Sequence, residues 1–364
     1  MKMKNLMKLQ GMMILLALCS ALIISSCKKT DSFQQGDKTA LNAVIASADS
    51  LANAATSTDY PQTAIDAFKA TLATVKTAEA TPLTQTQLDN LVIQLNAAKT
   101  TFNSKAYAYI DESLYLNAGW HFDEGTGTTA TSYSTAHQVG TFTKGWTTLL
   151  GANAALPTWV DGVKGGKAIY LHNGAHLEVP YAMAFLPADI TISAWIKMDK
   201  IWENDIIVSQ NYWWGYKFQT QSGGKPMITE RVNLTTVHDF DDGDPTVTPN
   251  VWTHVVVSLN STTKTIKFYI NGVASQSIYT ESNGGVGPLT QTLSFVDGDY
   301  TYVAQPFLIG SLATDAELAA HPLNFNWITT ANVGSFEGAI DELKIYNIAL
   351  NDGQVAKLYN TEKP

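Results

Sequence analysis

From Asp37 to about Glu112 the chain holds neither glycine nor tryptophan, and its apolar residues recur at helical spacing. Leu41, Val44, Ile45, Ala48 and Leu51 form one such series, Ile65, Phe68, Leu72 and Val75 a second. Leu88, Leu91, Val92, Leu95, Ala98 and Phe102 form a third. That period of about 3.6 residues gives each segment one apolar face, which must be covered by its neighbours. The breaks carry their own signals: Asp59-Tyr60-Pro61 sets proline at a first helical turn, and Thr84-x-x-Gln87 after Pro82 has the form of a capping box. The expectation is a three-helix up-down-up bundle over 37–112, each helix about five turns long.

Beyond Leu114 glycine, tryptophan, tyrosine and β-branched residues rise and the helical period vanishes. Short alternating segments replace it, among them Leu116 to Phe122, Ala168 to Val179, Ile190 to Met198, Trp252 to Leu259 and Gly338 to Tyr346. Glycine, proline, asparagine and aspartate clusters separate many of them. Ile270-Asn271-Gly272-Val273 predicts a tight hairpin, because both central positions of a type I′ turn take positive φ. Strands at this density without intervening helices imply two packed antiparallel sheets, here one sandwich over 113–364. The fold class expected is therefore mainly β, an antiparallel jelly-roll sandwich behind a small helical bundle.

The N-terminus carries a different message. Lys2, Lys4 and Lys8 precede a short apolar run, Met12 to Ile24, that ends in small residues before Cys27. The run is too short and wrongly flanked for a spanning helix and reads as a secretory signal over 1–26. Ile24-Ser25-Ser26-Cys27 resembles the lipobox of bacterial lipoproteins, whose cysteine thiol is acylated; an ordinary cleaved signal is the alternative. The resemblance implies a lipid-anchored protein of the outer membrane, with the cell surface as one location open to it and 27–36 as a polar tether. The other cysteine, Cys19, lies inside the signal, so no disulfide is expected in the mature domains. Losing residues 1–26 removes three lysines and no acids, which takes the formal charge from −9 to −12. So acidic a body excludes nucleic acid as a partner, since phosphate binding needs clustered lysine and arginine.

Two further resemblances cover the rest. The segment 37–112 is similar to the FIVAR type of helical module, which implies a spacer. From about 115 to 360, a series of motifs occurs in order: Trp120-His121-Phe122-Asp123-Glu124-Gly125, Gly166-Lys167-Ala168-Ile169-Tyr170-Leu171 and Ile190-Thr191-Ile192-Ser193-Ala194-Trp195-Ile196. Trp252-Thr253-His254-Val255, Phe268-Tyr269-Ile270-Asn271-Gly272 and Phe336-Glu337-Gly338-Ala339-Ile340-Asp341-Glu342-Leu343 complete it. Together they resemble the LamG-like jelly roll of the concanavalin A-like lectin/glucanase superfamily. That fold hosts lectins, adhesion modules and hydrolases, so it does not decide function.

Candidate site residues fall in three groups. Asp341 shares its strand phase with Leu343 and Ile345, so its carboxylate is expected among apolar side chains, where it needs a cation or several N–H donors. The resemblance implies a structural calcium there, held with Asp123 and Glu124; loop amides are the alternative. Relatives usually carry an aspartate about ten residues after the opening Phe-Asp, where this chain has Thr131-Ser132-Tyr133-Ser134. A second acidic cluster, Asp239, Asp241, Asp242 and Asp244, has the oxygen density for calcium or reads as a solvated loop. The third group is aromatic: Tyr212, Trp213, Trp214, Trp202 and Trp327 fall in or near predicted loops, where exposed rings can stack on the apolar faces of sugars. Strand alternation would expose only one of Trp213 and Trp214. Trp195 is expected on the open concave sheet, and Trp252 in the core.

Catalytic signals are weak. Glu203-Asn204-Asp205 begins a paired-carboxylate strand motif, but Ile206, Ile207 and Val208 follow it. His238 and Asp239 lack a nucleophilic serine elbow or a cysteine. The expected function is non-catalytic binding of a polysaccharide or glycoconjugate. An adhesion module with a protein ligand and a glycoside hydrolase or lyase with dispersed carboxylates are the alternatives.

Overall fold

The computed structural model describes residues 33–241, 247–280, 299, 301–330 and 333–364. The leader, Cys27, Asp242 and Asp244 lie outside the described residues. Three helices come first: α1 (Thr39–Ala54), α2 (Gln62–Glu79) and α3 (Gln85–Asn103). The expected capping box is present, with Thr84 N–H donating to Gln87 Oε1 at 2.9 Å and Gln87 N–H to Thr84 Oγ1 at 3.4 Å.

The chain divides into two compact units, Met1–Asn53 with Phe68–Thr100 and Ala54–Ala67 with Thr101–Pro364. In the first, Leu41, Ala48, Ala52, Phe68, Leu72, Val75, Leu88 and Leu95 are buried, which matches the apolar series of the sequence. Lys76 pairs with Asp49 at 2.6 Å and Lys99 donates to Ser47 Oγ at 2.7 Å, so polar contacts join the helices outside that core. The tether expectation is corrected at its end: Gly36 N–H donates to Leu83 O at 2.9 Å, and a Cβ there would lie 2.7 Å from Leu88. Among the described residues no helix is long and apolar enough to cross a membrane.

The second unit is built of strands. They are β1 (Leu116–Trp120), β2 (Thr129–Thr131), β3 (Val139–Thr143), β4 (Thr158–Asp161), β5 (Lys167–Leu171), β6 (His176–Val179), β7 (Ile190–Met198) and β8 (Asp205–Gln210). Then come β9 (Tyr216–Gln221), β10 (Lys225–Arg231), β11 (Val237–Asp241), β12 (Thr253–Asn260), β13 (Thr265–Ile270), β14 (Val273–Thr280), β15 (Phe307–Ile309) and β16 (Gly338–Tyr346). One sheet runs β14-β13-β12-β7-β16-β5-β4, with β1 also paired to β16. The other runs β11-β10-β9-β8-β15-β6-β3-β2, and every pairing is antiparallel.

Strand alternation explains the core. On β7, Ile190, Ile192, Ala194, Ile196 and Met198 are buried in the inter-sheet cluster with Val255, Val257 and Leu259 of β12. Phe218, Ile228, Phe240, Phe307 and Leu177 enter it from the opposite sheet. Each such aliphatic or aromatic side chain contributes about 1.5–3 kcal/mol when buried. The Asn271-Gly272 hairpin forms as expected, with φ of 50° and 75° and Ile270 opposite Val273.

Three expectations fail here, each for a local reason. First, the β half is not helix-free. The helix Asp352–Glu362 packs Val355 and Leu358 onto Val256, Tyr269 and Tyr346, side chains on the outer face of the β7-β12-β16 sheet. Trp195 is therefore 2% exposed, its ring stacked 5.7 Å from Tyr359, and does not line an open concave face. Second, Trp252 is half-buried outside the core, with the Lys197 ammonium 5.4 Å from its ring. Third, Glu342 has a φ of 47°, and the β7–β16 register shifts between Asp341 and Lys344. This bulge reverses the phase of the strand, because one extra residue exchanges the two faces. Ile340, Leu343 and Ile345 enter the inter-sheet core, whereas Asp341 lies beside Trp195 on the other face.

Candidate functional site

The turn after β8 builds an aromatic shelf. Asn211 and Tyr212 both hold left-handed conformations, with φ of 62° and 47°, a strained choice for a bulky residue. Tyr212–Trp214 then form one 3₁₀ turn. The alternation expected of a strand is absent, so both indoles reach the surface: Trp213 is 39% exposed and Trp214 half-buried. Tyr212 corrects the sequence expectation in the other direction. At 2% exposure it is a buried support for the shelf, packed in a cluster with Trp146, Ile206, Leu312, Phe325 and Ile328.

Around that support the rings are ordered. Trp213 lies 4.7 Å from Tyr212 at 20° between planes, and Trp327 lies 6.2 Å away at 27°. Trp327 is 36% exposed, and its indole N–H donates to Asn324 O at 3.1 Å. Arg231, the chain's one arginine, ties the shelf down: its Nε donates to Trp213 O and its Nη1 to Leu234 O, each at 3.0 Å. Lys217 sits below with its ammonium 5.3 Å from the Tyr212 ring and donates to Gln219 Oε1. Burial lowers the Lys217 ammonium to about 8, against the pull of Asp239. Asp239 accepts from Thr229 Oγ1, and Asp241 accepts from Gln221 Nε2 at 2.5 Å. The described members of that acidic cluster thus stand on strand β11 with side-chain donors, where the sequence suggested a solvated loop.

Trp202 is not part of this shelf. It precedes β8, whereas Tyr212 follows it, and the strand's five steps span about 17 Å. The Lys200 ammonium lies 3.4 Å from the Trp202 ring centre. The aromatic rim expected as one surface is two places. Sequence reasoning missed Arg231 and Lys217, although a lone arginine beside a run of aromatic residues is a readable signal.

The carboxylates proposed for calcium each accept from backbone amides. Asp341 Oδ2 accepts from Val163 N–H at 2.8 Å and Oδ1 from Glu342 N–H at 2.9 Å. Asp123 Oδ1 accepts from Lys167 N–H at 2.8 Å, a contact that requires Gly166, since a Cβ there would lie 2.1 Å from the oxygen. Glu124 Oε1 is turned onto Thr131 N–H at 2.8 Å. Among the described residues no group of three or more His, Cys, Asp or Glu could hold a metal ion. Backbone amides thus bond each of the three carboxylates. Burial pushes Asp341 up to about 7, with the charges of Glu342 and Asp123 adding to it and the Val163 amide opposing.

Asp205 does not join Glu203 in a catalytic pair. Glu203 is exposed, while Asp205 is buried with Oδ2 accepting from Trp202 N–H at 2.9 Å. Burial raises it to about 8.

A polar network that the sequence did not announce lies under the C-terminal helix. Glu362 accepts from Trp195 Nε1 at 3.0 Å and from Lys344 Nζ at 2.6 Å, and Lys344 also donates to Glu342 at 2.6 Å. His254 Nε2 bonds Ser193 Oγ at 2.8 Å. The Glu362 bonds to Trp195 and Lys344 tie the helix to the sheet.

Solved structures align with part of this chain at low identity. The binding domain of Paraclostridial Mosquitocidal Protein 1 aligns at 16% identity and a TM-score of 0.45, over 68% of this chain and 52% of that one. Domain 4 of AbnA, a GH43 extracellular arabinanase from Geobacillus stearothermophilus, solved with arabinotriose, aligns at 20% identity and a TM-score of 0.46, over 68% and 100%. The binding domain of botulinum neurotoxin DC, solved in complex with SialylT, aligns at 12% identity and 0.43, over 68% and 52%. The chain thus spans about half the length of the toxin binding domains it matches. No curated protein matches it. Residues 171–314 match the Laminin_G_3 family model, described as concanavalin A-like lectin/glucanases superfamily, and the β unit that holds them is an antiparallel sandwich.

Proposed function

We propose that this chain is an envelope protein, lipid-anchored through Cys27, whose β unit binds a polysaccharide or glycoconjugate without turning it over. The observation that carries the reading is the shelf: Trp213 and Trp327 keep more than a third of their surface exposed while Tyr212 orders them from beneath. Rings held in place before a ligand arrives lose little freedom on binding, and their flat apolar faces suit the C–H faces of sugar rings. Asp239, exposed on strand β11, supplies an acceptor able to read a hydroxyl. Catalysis has less support, because Glu203 and Asp205 do not face one cleft.

A glycan array tests the shelf. Binding should fall about tenfold in Trp213→Ala and again in Trp327→Ala, the loss of roughly 1–1.5 kcal/mol of stacking at each ring. Binding that survives both changes refutes the assignment, and release of reducing sugar from the bound glycan would make the protein an enzyme. Acyl labelling of the expressed chain should disappear in Cys27→Ser; persistent labelling removes the anchor from the proposal.

A further inference from the structure

At the other end of β8 a separate pocket of about 170 Å³ opens beside Trp202. Lys200, Asn173, Ser335 and Glu337 line it with the indole, and Leu150 and Val333 form its apolar wall. Its polar groups are unevenly satisfied. Ser335 is 5% exposed, yet its hydroxyl has no hydrogen-bond partner among the described residues. The Trp202 indole N–H is enclosed and equally without one. The fully buried Asp205 uses Oδ2 to hold the Trp202 backbone amide, and the Glu337 backbone amide also bonds its carboxyl. A buried donor or acceptor left unmatched costs about 1–3 kcal/mol, so two on one pocket wall mark a position built for something that supplies the missing bonds.

The chemistry narrows what that is. The pocket offers a hydroxyl, an indole donor and a carboxylate wall, an alternation of donors and acceptors that matches adjacent alcohol groups. Glu337 Oε1 is engaged by Asn173 N–H at 2.9 Å. The Lys200 ammonium lies 3.4 Å from the Trp202 ring centre and keeps its charge, which also acts on Glu337. Lys200 and Glu337, the charged residues lining the pocket, balance each other, so a charged ligand finds no net counter-charge there. We infer that the Trp202 pocket is a second binding site, taking the vicinal hydroxyls of a neutral sugar residue, with Ser335 and the Trp202 indole N–H as contacting groups. Asp205 acts through Trp202 as a positioning residue. The site stands on its own donors and acceptors and does not require the shelf to bind anything.

Indole N–H resonances of the full chain report on it directly, with Trp202→Phe identifying the signal. D-glucose, D-galactose, D-mannose and L-arabinose are titrated separately, with D-glucuronate as the charged comparison. The Trp202 signal should shift saturably with at least one neutral sugar and stay in place with glucuronate. Ser335→Ala, a small change that removes one bond, should weaken that sugar about tenfold, whereas Trp213→Ala should leave its affinity unchanged. No shift with any neutral sugar, an equal shift with glucuronate, or indifference to Ser335→Ala overturns the inference. Loss of the shift in Trp213→Ala assigns the sugar to the shelf and overturns it too. A chain that shows this shift but binds no array glycan through Trp213 keeps the pocket and loses the shelf.

Discussion

His254 should make this fold sensitive to mild acid. Its imidazole is fully enclosed between β7, β13 and the C-terminal helix, and burial, with the Lys344 charge adding, pushes it from 6.5 down to about 3. The folded chain therefore keeps His254 neutral at pH values where the unfolded chain protonates it. Stability from this group is complete above about 6.5 and is lost steadily as pH falls from there toward 3. Between pH 7 and pH 5 the loss is about 2 kcal/mol, from the 1.36 kcal/mol that each pKa unit represents. Other groups titrate with different signs. Asp205 and Asp341, raised to about 8 and 7 by burial, favour the fold at lower pH and lose that contribution as pH rises through those values. Glu342 is held near 2, its burial outweighed by the His121 hydrogen bond and Lys344, so its contribution is lost only below about 4.5. A single profile mixes these terms, and a difference between variants isolates one. His254→Gln retains a polar partner for Ser193 but cannot take up the proton. Urea unfolding at the two pH values should show the native chain losing about 2 kcal/mol more than the variant between pH 7 and pH 5. Equal losses in the two proteins would refute the enclosure of His254 as the cause.

Glu362→Ala should destabilise the β unit by about 3 kcal/mol, the lower end for breaking a buried pair, because Glu342 still neutralises Lys344. Urea unfolding measures it, and Asp161→Ala at the exposed Lys167 pair should leave the midpoint unchanged. Gly272→Ala meets both a φ of 75° and the Tyr359 Cβ at 2.7 Å, so the melting temperature should fall by the equivalent of about 1–3 kcal/mol. Chelator should leave the melting temperature where it was, since Asp341 is held by amides; a drop restored by calcium would contradict that arrangement.

What could be read from the chain and what could not follows from the range of the interactions. The apolar series of α1 to α3 and the Asn271-Gly272 turn depend on neighbours within a few residues, and both appear where the sequence puts them. Asp341 was misread because its phase depends on Glu342 taking a left-handed conformation, which no side-chain pattern displays. Strand alternation does not hold for Trp213 and Trp214 for the same reason, since Asn211 and Tyr212 turn the chain before alternation can begin. The C-terminal helix, by contrast, was legible. Asn351 and Gln354 form a full capping box, and Val355 and Leu358 repeat at helical spacing behind it. The shelf's residues could be nominated from composition, but their separation from Trp202 depends on β8 running between them.

The last turn of that helix has a practical consequence. A proteolytic cut between Tyr359 and Glu362 would part that carboxylate from the helix that carries it. Such nicking would strip one of two counter-charges from an enclosed lysine and loosen the cover over one whole sheet.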